Sequence, residues 1–485
     1  MAHRFTRRKF SQAAAAGSLG YLFTGPAYSV EKVAGANTKL RFAGVGIGGK
    51  GGSDIDQCAN LGEIVALCDI DDNFLAKKTA KWKDAKVFHD YRKLFADDVM
   101  KNVDAVTVST PDHHHALAAV LAMRMGKHVY VQKPLAHTVF EARLMREVAA
   151  KNKVCTQMGN QGTTENGLRR AVEAIQDGVI GDVKEVHVWT NRPVWPQAPE
   201  VTDKKMPKTA ECPKNIHWEE FIGPAPMRPW GVYEPTVARR HGGRLVAYHD
   251  FHWRGWWDFG TGAIGDMACH TANMAFMACQ LKTPSKISAE ATDVNPQTCP
   301  SSAHVTFEFA AQGKTPAITL HWYEGQKDGK LVHPPEELVK KALAIDANPK
   351  RKTKLVNSGS IIVGSKGYIY SPSDYGAEVF IGPAKDFESI QMKKPEKLAI
   401  NGKGDQGQKD EWVEAIKAGK SELALSNFDY ATYLTESFLL GNVAIRSGKS
   451  FVWDGIEGKV KDCPEAEKLI TQEYRKGWDL LGNKA

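Results

Sequence analysis

Short apolar runs alternate with helix-like stretches over the first third of the chain. Leu40-Arg41-Phe42-Ala43 and Ile64-Val65-Ala66-Leu67-Cys68 are β-prone, as are Val103 to Val108 and Lys127 to Val131. Phe74 to Trp82 and His115 to Met125 carry helical spacing between them, and Lys86 to His89 a short strand. Strands separated by helices in this way predict βαβ units, hence a parallel sheet with ligands at the carboxyl ends of its strands. The pattern then changes. Ala303 to Phe309, Ala317 to Tyr323, Ser360 to Val363, Gly367 to Tyr370 and Ala377 to Ile381 are rich in β-branched and aromatic residues and separated by turns. That predicts a mostly antiparallel sheet. Asp410 to Ala418 and Tyr430 to Arg446 space apolar residues at i, i+3, i+4, and Leu434, Phe438, Leu439 and Val443 of the second are core positions. His333 to Leu355, charged and flanked by prolines, is expected to be a surface insertion.

The first apolar run leads directly into Gly44-Val45-Gly46-Ile47-Gly48-Gly49, which satisfies G-x-G-x-x-G at positions 44, 46 and 49. Gly44 permits the tight turn and Gly46 lets backbone approach a pyrophosphate. Gly49 lets the next helix pack closely, with its N-terminal amides facing the anion. Asp69 ends the second run, twenty residues beyond Gly49. An acceptor there holds the ribose 2'-hydroxyl of NAD and repels the 2'-phosphate of NADP. The glycine pattern alone is weak; the strand before it, the helix after it and the acid at this distance carry the dinucleotide reading. The expected cofactor is therefore NAD rather than NADP, tightly bound. Thr110, Lys133 and Gln161 fall at further strand ends.

Composition narrows the class. A chain of 485 residues exceeds one compact core, and 42% hydrophobic with 25% charged residues is ordinary for a globular protein. No uninterrupted apolar run reaches the roughly 18 residues of a membrane span. Of the formal charge of +8, the first 35 residues hold +4, from Arg4, Arg7, Arg8, Lys9 and Lys32 against Glu31. The remainder is spread without a basic block and gives no reason to invoke nucleic acid. Thr6-Arg7-Arg8-Lys9-Phe10 followed by the small, apolar stretch Ala13 to Phe23 has the form of a twin-arginine secretory signal. It predicts engagement of the Tat export machinery and a periplasmic or otherwise exported protein; a disordered basic tail is the plainer alternative. Eight scattered cysteines lack C-x-x-C spacing and are expected as small buried hydrophobes, their disulfide status open.

Gly44-x-Gly46-x-x-Gly49, Thr110-Pro111 with His115 following, Gln132-Lys133-Pro134 and Gly265-Asp266-Met267-Ala268-Cys269-His270 together resemble the ordered motifs of one family. This is the glucose-fructose oxidoreductase, inositol dehydrogenase and rhizopine-catabolism (Gfo/Idh/MocA) family, in an exported, twin-arginine-signal form. The resemblance runs from about Thr38 to the end. It implies an α/β Rossmann domain that binds NAD, then an α+β domain whose open, mostly antiparallel sheet covers the nicotinamide and often mediates homo-oligomerisation, as dimer or tetramer. The expected division is a signal segment (1–35), a Rossmann domain (38–160), a substrate-binding domain (161–425) with an insertion (191–260), and C-terminal helices packing back on the core (426–485). The cofactor-binding set is Gly44, Gly46, Ile47, Gly48, Gly49, Asp69, Thr110, His115, Gln132 and Gln161. The family's usual Glu-Lys-Pro is here Gln132-Lys133-Pro134, which removes a charge beside the lysine.

Oxidation of a secondary alcohol needs a base for the hydroxyl proton, a cation near the developing alkoxide and a hydride acceptor held close. Histidine suits the first role, having its pKa near neutrality. Asp266 and His270 are spaced i, i+4 and share a helix face, and Lys133 stands at a strand end beside the dinucleotide. The resemblance assigns His270 as general acid/base, Lys133 as positioner of hydroxyl and alkoxide, and Asp266 as the acceptor that orients a neighbouring hydroxyl or the histidine. Taken singly, each has a plainer explanation: a helix cap, a core histidine and a solvated strand-end charge.

The insertion is dense in aromatic and hydrogen-bonding side chains. Aromatic faces against sugar C–H surfaces, with Arg and His reading hydroxyls, make it a carbohydrate cleft. Arg192, His249, His252, Trp253 and Trp257 are the expected substrate residues; a small secondary core or an oligomer interface is the alternative. His113-His114-His115 and His249-Asp250-Phe251-His252 raise a metal alternative, but adjacent histidines diverge on a helix and hydride transfer needs no metal, so none is assigned. The predicted function is NAD-dependent oxidation of a sugar, polyol or glycoside. Two rivals stand beside it: redox-neutral glycoside cleavage by oxidation, elimination and re-reduction, and a non-catalytic dinucleotide-binding sensor.

Overall fold

The computed structural model describes residues 39–313, 315–387, 397–479 and 481–482, so the twin-arginine segment lies outside the described residues. Strands β1 (Leu40–Val45), β2 (Gly62–Cys68), β3 (Lys86–Phe88), β4 (Ala105–Val108), β5 (His128–Val131) and β6 (Thr156–Met158) form one sheet in the order β3-β2-β1-β4-β5-β6. All neighbours run parallel. Ala43, Val45, Ala66, Val106, Val108, Val129 and Val131 are buried, as strands covered on both faces require. The strand order reverses between β1 and β4, which opens the ligand crevice at their carboxyl ends. The helix Asp112–Arg124 starts three residues before its expected first residue, and the triple histidine is its buried first turn.

The second sheet uses β7 (Val183–Thr190), β10 (Lys286–Thr292), β11 (Ser302–Phe309), β12 (Ile318–Lys327), β14 (Ser358–Gly364), β15 (Tyr368–Ser371), β16 (Phe380–Gly382), β17 (Phe451–Asp454) and β18 (Lys459–Lys461). Their order is β16-β15-β14-β7-β12-β11-β10-β17-β18, with the short β13 (Lys330–Leu331) paired to β12. Only β7 and β12 pair in parallel, among the described residues. A separate two-stranded ladder joins β8 (Lys208–Thr209) to β9 (Gly231–Val232). The helix Phe428–Ser447 lies against the sheet, its Phe438 packed on Phe276, Phe307 and Trp322. No described helix is long and apolar enough to cross a membrane.

Three parts of the chain differ from the sequence reading. The helix Gly404–Ala418 returns to the Rossmann sheet, where Trp412 meets Phe42 and Tyr130 at ring separations of 6.0 and 5.8 Å. The last 60 residues hold β17 and β18 as well as helix, because Phe451 and Trp453 point inward while Val452 between them is exposed. His333 to Leu355 is not merely surface: its helix Glu336–Ile345 lays Leu338, Ala342 and Ile345 on Trp189, Tyr323, Ile361 and Tyr370 and covers part of the sheet.

The insertion builds a core of its own from Phe221, Ile222, Tyr233, Tyr248, Trp253, Trp256 and Phe259. It is stitched to the Rossmann edge by an Asp71–Ile216 bridge.

Candidate active site

Lys133 follows β5, and Asp266 and His270 lie on the helix Gly262–Thr271 that crosses its end. The Lys133 Nζ donates to Asp266 Oδ1 and to the Asp266 backbone carbonyl, both at 2.8 Å. Arg254 Nε donates to the same Oδ1 at 3.3 Å. Burial works against the Asp266 carboxylate, but Lys133 and Arg254 hold it well below the usual carboxylate range. Asp266 therefore orients the lysine and an arginine rather than the histidine. Arg254 carries no spacing signal that sets it apart within the insertion, and it was not among the expected site residues.

His270 is buried, and its Nδ1 has no hydrogen-bond partner among the described residues. Burial, reinforced by the Lys133 charge, pushes it well below the ordinary histidine range, so the ring is neutral. Its neighbour is Tyr375, edge-on at 4.8 Å, whose hydroxyl accepts from Gln161 Nε2 at 3.2 Å. Tyr375 sits in a loop after β15 and had no motif to reveal it. Asp112, whose Oδ2 accepts from Thr261 at 2.7 Å, is pushed up to about 7 by burial.

The glycine loop fits a dinucleotide. Gly46 has φ +75°, and a Cβ there would lie 2.7 Å from the Ser109 carbonyl oxygen. A Cβ on Gly48 would lie 2.2 Å from the Phe74 ring. The helix Gly49–Ala59 has no side-chain cap, which leaves its first amides for an anion. Among the described residues, the Thr110 hydroxyl and Gln161 Oε1 are buried without hydrogen-bond partners, just beyond the ends of β4 and β6. Asp69 Oδ2 accepts from Ile47 and Gly48 amides at 2.7 and 3.1 Å, and Oδ1 from the Asp71 amide at 3.0 Å. Of about four acceptor positions on a carboxylate, one is left for a ribose hydroxyl. Burial pushes Asp69 up to about 6. Asp71 caps the helix Asp72–Thr79, its side chain accepting from the Asn73 amide.

Two expected cofactor residues serve the frame instead. His115 places Nε2 2.8 Å from the Thr110 carbonyl and Nδ1 2.7 Å from the Pro134 carbonyl, so it braces the two turns. Gln132 donates to Asp54 Oδ2 at 2.8 Å, and Asp54 also accepts from Lys409, Lys50 and Ser109. A glutamate at 132 would set a second buried carboxylate against Asp54, which gives a physical reason for the departure from Glu-Lys-Pro.

Of the five expected substrate residues, Arg192 alone lines the cleft of about 580 Å³ that it shares with Asn191, Ser358, Ser373 and Asp374. Its Nε is buried without a hydrogen-bond partner among the described residues, and its charge acts on both His270 and Asp374. His249 lies instead near Asp71, 3.8 Å from Nε2 to Oδ2, and beside Phe74. His252 is buried with Nδ1 2.8 Å from the Val246 carbonyl. Trp253 and Trp257 are buried with their indole N–H groups on the Asp250 and Asn295 carbonyls. Rings that fill a core and rings that floor a sugar cleft give the same sequence pattern, and here the core has taken them. The triple histidine is likewise structural: His113 reaches the Phe221 and Phe259 carbonyls, and His114 the Phe221 carbonyl and Tyr91 hydroxyl.

Residues 40–160 match the Gfo/Idh/MocA "oxidoreductase family, NAD-binding Rossmann fold", and 168–356 match its "C-terminal alpha/beta domain". An uncharacterized oxidoreductase of Streptococcus pneumoniae is 35% identical over 145 residues, 30% of this chain and 37% of that protein. A glycosyl hydrolase family 109 protein of Solibacter usitatus is 32% identical over 158 residues, 30% of this chain and 36% of that protein. The inositol 2-dehydrogenase of Salmonella typhimurium is 32% identical over 148 residues, 30% and 43% of the two chains. The chain thus spans less than half the length of each of these relatives. WlbA dehydrogenase from Bordetella pertussis, solved with NADH and UDP-GlcNAcA, has the same fold at a TM-score of 0.56, 15% identity, and coverage of 86% of this chain and 98% of that one. A levoglucosan dehydrogenase solved with NADH gives 0.55, 15%, 85% and 98%.

Proposed function

The chain belongs to the Gfo/Idh/MocA family of NAD-binding oxidoreductases, and from that premise we propose that it oxidises a secondary alcohol of a sugar, polyol or glycoside after export by the twin-arginine route. The observation that carries this reading is the Lys133–Asp266–Arg254 cluster beside a buried, neutral His270 at the carboxyl end of β5. When bound, NAD supplies the hydride acceptor. Two cations share one carboxylate, so the cluster keeps a net positive charge that stabilises oxygen as it becomes an alkoxide. Lys133 positions the hydroxyl, Asp266, itself held by Arg254, fixes Lys133 in place, and His270 takes the hydroxyl proton. Arg192 and Asp374, facing one cleft, present a donor and an acceptor to further hydroxyls. The name inositol 2-dehydrogenase on one relative supports a polyol or sugar as substrate.

One observation favours a second reading: another relative bears the name of a glycosyl hydrolase family. In that reading the same residues would bind a glycoside whose oxidation by bound NAD acidifies the adjacent C–H; loss of that proton would expel the glycosidic substituent, water would add to the resulting enone, and return of the hydride would leave no net redox change. Mixing the NAD-loaded protein with sugars, polyols and glycosides separates the two. Accumulating reduced nicotinamide supports net oxidation, and aglycone release without it supports the redox-neutral route.

A further inference from the structure

We propose that Asp72, His89 and His217 form a site for one divalent transition-metal ion of the zinc type, on the seam between the Rossmann domain and the insertion. The three side chains come from remote parts of the chain: the first turn of the helix Asp72–Thr79, the residue after β3, and the insertion. Each offers one ligand atom, and all three atoms lie within 4.8 Å of one another. His217 Nε2 is 3.2 Å and His89 Nε2 3.6 Å from the same oxygen, Asp72 Oδ1. The two imidazoles stack at 3.7 Å, 15° from parallel.

The hydrogen bonding of His89 points to a cation. Its Nδ1 lies 3.2 Å from the Asp69 backbone carbonyl, which can only accept, so Nδ1 carries the hydrogen. In the neutral ring Nε2 is then a lone pair, and it faces a carboxylate oxygen. Two acceptors turned toward each other need a positive centre between them, a proton on Nε2 or a metal ion, and a second imidazole converging on the same carboxylate oxygen suits the ion. An imidazole whose outer N–H is held by a carbonyl is also the usual state of a metal-bound histidine.

The scaffold is fixed by backbone. His217 N donates to the Ile70 carbonyl at 2.8 Å, and Asp72 N donates to the Asn215 carbonyl at 3.0 Å. Two imidazoles and a carboxylate suit zinc and its neighbours better than magnesium or calcium, which prefer all-oxygen shells. Against the about 3.3 Å between ligands of a tetrahedral zinc with bonds near 2.0–2.1 Å, the His217–Asp72 pair at 3.2 Å already matches and the His89–Asp72 pair at 3.6 Å stands wider. The stacked rings hold their Nε2 lone pairs side by side, so one of the partly exposed imidazoles turns out of the stack to bring both onto one ion, and water completes the shell. The site lies at the ends of β2 and β3, away from Lys133 and His270, and its role is to clamp residues 215–217 onto residues 70–72.

The test uses tag-free protein stripped with EDTA, then titrated with Zn²⁺ by calorimetry and with Co²⁺ by visible absorption. The expected result is one ion per chain, a melting temperature that rises with Zn²⁺, and ligand-field bands of imidazole-bound cobalt. Asp72→Asn, His89→Gln and His217→Ala should each weaken binding by roughly tenfold or more. Asp72→Asn changes an exposed first-turn residue and keeps the Asp71 cap, so it decides the matter even if His217→Ala fails to fold. Absence of binding at millimolar Zn²⁺, or equal binding by wild type and Asp72→Asn, overturns the proposal.

Discussion

Lys133 stands with a carboxylate against its ammonium group and a second cation on the far side of that carboxylate. Removing Asp266 strands two largely buried cations, so Asp266→Asn should lower stability by about 3 kcal/mol. Its folded pKa is depressed, so the stability it contributes is present above the unfolded value of about 4 and fades as pH falls below that. Thermal melts of wild type and Asp266→Asn should therefore differ at neutral pH and converge in strong acid; a constant difference would contradict the ion-pair account. Asp69 gives the opposite shift. Its carboxyl, raised to about 6, loses acceptor capacity when protonated. NADH affinity, followed by fluorescence, should weaken as pH falls through about 6 in wild type and stay weak and flat in Asp69→Asn. Among single residues, the glycines and the ordered Lys133, Asp266 and His270 were legible because their chemistry fixes their spacing. Arg254 and Tyr375 were not, since each reaches the site by tertiary folding from a stretch without a motif.

At the scale of elements, periodicity located most strands and helices but not their partners. The apolar spacing of residues 410–418 announces a helix, yet nothing local says that it returns to the first sheet. Trp412 now fills the space between Phe42 and Tyr130, and Lys409 beside it neutralises the buried Asp54. Trp412→Ala should cost about 3–5 kcal/mol in denaturant unfolding and loosen cofactor retention, because Asp54 also holds Gln132 and Lys50 at the glycine loop. A loss below 1 kcal/mol would mean that this helix is not part of the domain's core. β17 and β18 were missed for a related reason: at four and three residues they are too short for a period to declare itself.

For the whole molecule, the fold class was legible because βαβ alternation and later turn-punctuated strands are long-range patterns that need no side-chain detail. The insertion was the hard part. Of its five expected substrate residues, Trp253 joins the insertion's own core, His252 and Trp257 are buried and His249 lies near Asp71, while Arg192 lines the cleft; Arg254, from the same insertion, reaches Asp266 instead. Export is a separate matter at this scale. Replacing Arg7 and Arg8 by lysine should retain the protein in the cytoplasm, as cell fractionation would reveal; unchanged fractionation would remove the twin-arginine reading.

The central claim is that Lys133 positions a secondary alcohol and His270 takes its proton while bound NAD would accept its hydride. NAD-loaded wild type, mixed with a panel of sugars, polyols and glycosides and watched at the reduced-nicotinamide absorbance band, tests it most directly. The band should rise, net or transiently, with at least one of them, and the rate should fall by about a hundredfold or more in Lys133→Ala and His270→Ala. A band that never moves, or a His270→Ala protein as fast as wild type, would contradict the account.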